Sequence, residues 1–108
     1  MRDGVDEQGA GLRPPWGLAR GRGQIEWQRQ ADGQERLRVR FGDLGLPDGA
    51  FVSIRLGGAI LGYTRVASGA GELAFETARG QVPKVTGLQL VEVVHGEAVL
   101  LRGTLEPD

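Results

Sequence analysis

Between Ile25 and Leu105 apolar and polar positions alternate in short runs, and most runs close on a glycine. Successive side chains of a β-strand point to opposite faces, so a two-residue period marks a strand with one buried and one wet face. Arg36-Leu37-Arg38-Val39-Arg40-Phe41 is the clearest instance, sending Leu37, Val39 and Phe41 one way and three arginines the other. The pattern predicts seven strands, at about 24–30, 35–41, 51–56, 59–66, 72–77, 88–95 and 98–105. Asp32-Gly33, Leu46-Pro47-Asp48-Gly49, Gly57-Gly58, residues 67–71 and Gly96-Glu97 supply the turns, and Pro107 is read as the stop. The strand at 88–95 is apolar at both parities, which predicts a bulge or a strand covered on both sides.

No helical period of 3.6 appears, so the expected fold is an all-β, seven-stranded antiparallel β-sandwich, with a small closed β-barrel as the alternative. Links 42–50 and 78–87 are long enough to cross between sheets, whereas two-residue links join neighbours within one. Val82-Pro83 and Val85 of the second crossing are expected to plug one end of the core.

Residues 1–23 read differently: glycine-rich, with Pro14-Pro15 and no alternation. They are expected to form a flexible N-terminal arm ahead of a β-sandwich domain at 24–108. Within the arm, Trp16 follows two prolines that stiffen the chain, and its ring is expected to fold onto this domain's own sheet edge, with disorder or docking onto another subunit as the alternatives.

Composition narrows the function classes. The 108 residues include no cysteine, so disulfides and thiolate metal sites are excluded, and 13 basic against 14 acidic side chains argue against a protein whose main role is neutralising a polyanion. No apolar run reaches the ~20 residues of a membrane-spanning helix and the N-terminus has no apolar leader, so a cytoplasmic location is expected. His95 is the sole histidine. As a general base it would need a nucleophile and an orienting acid, and Ser53, Ser68, Glu92 and Glu97 form no recognisable arrangement with it. One histidine cannot make a zinc site, and Gly21-Arg22-Gly23 and Gly42-Asp43-Leu44-Gly45 do not precede a helix as a phosphate loop must. No enzyme activity and no cofactor are expected.

The arginines remain. Arg20 and Arg22 lead into Arg29 and then into Arg36, Arg38 and Arg40; the last three alternate at about 6–7 Å on one strand face, near the phosphate spacing of a nucleic acid. Glu26 and Glu35 lie close by, and Glu72 and Glu76 are candidate cross-strand partners. Carbohydrate binding would need a plane of exposed rings, for which only Trp16 and Tyr63 qualify.

The block Leu46-Pro47-Asp48-Gly49-Ala50, Val52-Ser53-Ile54, Gly57-Gly58-Ala59-Ile60-Leu61-Gly62, Gly71-Glu72-Leu73, Val85-Thr86-Gly87 and Gly96 to Gly103 resembles a group of bacterial glycine-rich β domains. These are similar to immunoglobulin-like sandwiches and share no catalytic activity. The resemblance implies a structural or interaction module and carries over no site residues. The expected function is therefore a non-catalytic binding or assembly module working through protein contacts or self-association, with Trp16, Arg20, Arg22, Arg36, Arg38 and Arg40 as its candidate contact residues. A nucleic-acid-binding β domain using the Arg36/Arg38/Arg40 face is the alternative, and neither a membrane nor a small-molecule substrate is expected.

Overall fold

Arg36 to Phe41 lies within a strand, β3 (Glu35–Gly42), whose alternation is realised residue by residue: Leu37 and Val39 are fully buried while Arg36 and Arg40 are exposed. A computed structural model of the chain describes residues 6–15, 20–76 and 89–107. Around β3 are β1 (Asp6–Leu12), β2 (Arg22–Arg29), β4 (Phe51–Leu56), β5 (Ala59–Arg65), β6 (Gly71–Glu76), β7 (Leu90–His95), β8 (Ala98–Thr104) and the two-residue β9 (Glu106–Pro107). All pairings are antiparallel and form two sheets, ordered β6-β3-β2-β1-β9 and β5-β4-β7-β8. Among the described residues there is no helix, and so none long and apolar enough to cross a membrane.

The chain is all-β, as expected, and its two sheets are not one closed barrel. At one corner β1 meets β8 through a single bridge, Arg13 N–H to Arg102 O at 3.0 Å and Arg102 N–H to Arg13 O at 2.8 Å. At the other, β5 and β6 share no ladder; the Thr64 hydroxyl donates to Glu72 O at 3.1 Å. Between the sheets Leu12, Ile25, Leu37 and Val39 meet Val52, Ile54, Val91, Val93 and Leu101, each at most 1% exposed. Burying one such side chain contributes about 1.5–3 kcal/mol.

The strand count differs from the expected seven: among the described residues there are eight strands of six or more residues, with β9 in addition. The extra long strand is β1, inside the segment expected as an arm. Gln8, Ala10 and Leu12 face Trp27, Ile25 and Gly23 of β2 on the inward side, and Leu12 is 1% exposed. Pro107, expected as a stop, pairs with Gln8 instead. The link from β3 to β4 crosses between sheets as expected, and the chain crosses again from β6 to β7, although residues 77–88, with Val82, Pro83 and Val85, lie outside those described. A third crossing, β5 to β6, takes only a tight turn closed by the Ala67 and Ala70 bridge. The bulge expected from the doubly apolar β7 falls on its partner: Val93 pairs with Leu101 and Val94 with Val99, leaving Leu100 of β8 unpaired.

Candidate functional site

Two sheets leave two outer faces. On the β6-β3-β2-β1-β9 sheet each of the three strand arginines has a carboxylate on one side, because the register sets Arg36 beside Glu76, Arg38 beside Glu26 and Arg40 beside Glu72. Arg36 Nε stands 3.6 Å from Glu76 Oε1 and Arg40 reaches Glu26 Oε1 at 3.8 Å. Arg38 Nε is covered and has no hydrogen-bond partner. Arg22, at the start of β2, is exposed on the same face. Arg20 lies outside the strands and pairs at 2.7 Å with Asp43. Trp16 falls outside the described residues. Among the described residues, Arg22, Arg36, Arg38 and Arg40 oppose Glu7, Glu26, Glu72, Glu76 and Glu106 on this face, so the stripe singled out from the sequence sits among strand positions with a net charge of −1.

The outer face of the other sheet is built differently. The loop before β4 is laced to the turn after β5: Val66 N–H donates to Ala50 O and Gly49 N–H to Val66 O, both at 2.8 Å, and Ser68 N–H donates to Asp48 Oδ1 at 2.7 Å. This lacing fixes the open end of the β4-β5 hairpin. At the other end Gly57 and Gly58, with φ of 61° and 88°, supply the left-handed pair that a two-residue hairpin turn requires. Val52, Ile54 and Leu56 point to the core, so Phe51, Ser53 and Arg55 point out, opposite Arg65, Tyr63 and Ile60 respectively. Phe51 is 53%, Ile60 51% and Tyr63 63% exposed. The Arg65 guanidinium lies 4.7 Å from the Phe51 ring centroid. Stacking of this kind occupies the flat face of the cation and leaves its in-plane N–H donors free.

Row by row, Ile60, Arg55, Glu92 and Arg102 cross the sheet, and Arg13 continues the row through its bridge to Arg102. Among the described residues, four arginines (13, 55, 65 and 102) against Glu92 give the strand positions of this face a net +3. Neither Arg55 nor Arg65 forms an ion pair with a described residue. Phe51, Arg55, Ile60 and Arg65 were not singled out from the sequence. Outward parity opposite Val52-x-Ile54-x-Leu56 is the signal that could have found Phe51 and Arg55.

His95 ends β7 with Nδ1 3.0 Å from Phe51 O, a contact in which the ring N–H donates to the carbonyl. The Ser53 hydroxyl is directed instead at Val94 O, 3.5 Å away, Ser68 sits in the turn after β5, and neither serine forms a hydrogen bond with the imidazole. Among the described residues no group of three or more His, Asp or Glu side chains could hold a metal ion. No protein-family model matches the chain, and no characterised protein matches it.

Proposed function

We propose that the chain is a non-catalytic binding module acting through protein–protein contacts, with the outer face of the β5-β4-β7-β8 sheet as the contact surface. The observation that carries this reading is the exposure of Phe51, Ile60 and Tyr63 along one face of the β4-β5 hairpin, interleaved with Arg55 and Arg65. Aromatic and arginine side chains of this kind dominate binding energy at protein interfaces, and an adjoining apolar cluster on the surface marks such a site. Strand donation by the N-terminal segment is not needed for this reading, since residues 6–12 complete the chain's own sheet. Two packed antiparallel sheets make a sandwich, and its strand order differs from the constant immunoglobulin arrangement, which puts its third strand in the second sheet whereas β3 lies beside β2.

The test is co-purification from the cells that make the protein, comparing tagged full-length chain with a Phe51→Ser/Ile60→Ser/Tyr63→Ser variant and an Arg36→Gln/Arg40→Gln variant. A bound protein retained by the wild type and the arginine variant, and lost from the serine variant, is expected. Retention by the serine variant would refute the assignment of the face.

A further inference from the structure

The two outer faces differ in how their charge is satisfied, and the difference bears on what the candidate face binds. We infer that its partner is an acidic protein segment carrying a large apolar side chain. The inference rests on the binding-module reading above and names the partner's chemistry.

The strand arginines on the opposite face have carboxylates beside them, and two are within 4 Å of one. On the candidate face the proportion is reversed, with Glu92 the one carboxylate beside four arginines among the described residues. A second copy presenting the same face would set one net +3 surface against another, a like-charge arrangement that disfavours a two-fold dimer through it. A basic or neutral segment would leave the guanidinium groups of Arg55 and Arg65 unpaired as they lose water, which is costly for a charged donor. A carboxylate removes that cost, and the stacked Arg65 holds its donor edge ready for bidentate pairing. Ile60 and Tyr63 supply the apolar part of the contact. A single-stranded nucleic acid also combines negative charge with flat rings, but it would need free aromatic faces for its bases, and one face of Phe51 is already taken by Arg65.

The experiment is selection of a random displayed peptide library against immobilised full-length protein, followed by sequencing and by anisotropy titration of the enriched peptides. Enriched sequences are expected to be rich in Asp and Glu around a Leu, Phe or Trp. Their affinity should fall about tenfold or more in Arg55→Gln/Arg65→Gln and in Tyr63→Ser, and stay unchanged in Arg36→Gln/Arg40→Gln. Peptides that are neutral or basic yet depend on Tyr63 would overturn the acidic preference while leaving the binding face standing. Peptides indifferent to Tyr63, or no enrichment, would overturn both. Tyr63-dependent binding of a labelled single-stranded oligonucleotide, tighter than that of any selected peptide, would overturn the protein partner. Circular dichroism melts of each variant show that loss of binding is not loss of fold.

Discussion

At the scale of single residues, Gly103 shows how closely the two sheets approach where β1 meets β8. A Cβ at this position would collide with the Gly11 carbonyl oxygen and press on the Leu12 side chain. Gly103→Ala should therefore destabilise the fold by about 1–3 kcal/mol, read as a lower midpoint in urea denaturation. The surface arginines behave oppositely. Arg36, Arg40 and their glutamate partners are 41–54% exposed, so each pair is screened by water and contributes little. Arg36→Gln/Arg40→Gln should shift stability by no more than about 1 kcal/mol. Gln8 and Trp27 make a third case. They face each other across the β1-β2 ladder, yet Gln8 Oε1 and Trp27 Nε1 are both covered and without a hydrogen-bond partner. Gln8→Met, which removes the orphaned acceptor while keeping the volume, should stabilise the chain by about 1 kcal/mol in the same denaturation assay.

At the scale of elements, β1 separates what the amino-acid pattern reveals from what it hides. β3 was legible because its inward residues are large and its outward ones charged. β1 reads Asp-Glu-Gln-Gly-Ala-Gly-Leu: Gln8, Ala10 and Leu12 are inward positions, and two of its outward ones are glycines. No apolar/polar contrast survives, and its glycines resemble those of a linker. What makes it a strand is its surroundings, since β2 offers an open edge and Leu12 fills the core beside Gly23. Leu12→Ala should cost about 2–5 kcal/mol, whereas an arm detached from the core would tolerate it without change. The hairpin β4-β5 was legible in part for a related reason. Tyr63 and Arg65 keep parity with Phe51, but the register shifts between Ile54 and Arg55, leaving Leu61 unpaired and turning Ile60 outward. A bulge reverses the in–out rule beyond it, so alternation alone assigns Ile60 and Leu61 to the wrong sides. The acidic partners of the arginine stripe, in contrast, could be read ahead, because Glu76 stands where cross-strand pairing asks for it.

At the scale of the whole molecule, the sandwich turns toward water one polar face with its charges nearly balanced and another where, among the described residues, exposed aromatic and aliphatic side chains lie among arginines that outnumber their carboxylate. Overall charge of −1 conceals this division, because the excess of arginine on the β5-β4-β7-β8 face is offset by carboxylates elsewhere. The most direct test of the division is site-specific photo-crosslinking in the cells that make the protein, with p-benzoylphenylalanine placed in the full-length chain at Tyr63 or at Ala74. Both positions are exposed, one on each outer face. Covalent adducts to a second protein from position 63, with none from position 74, are the predicted result; adducts from position 74 alone would contradict the account.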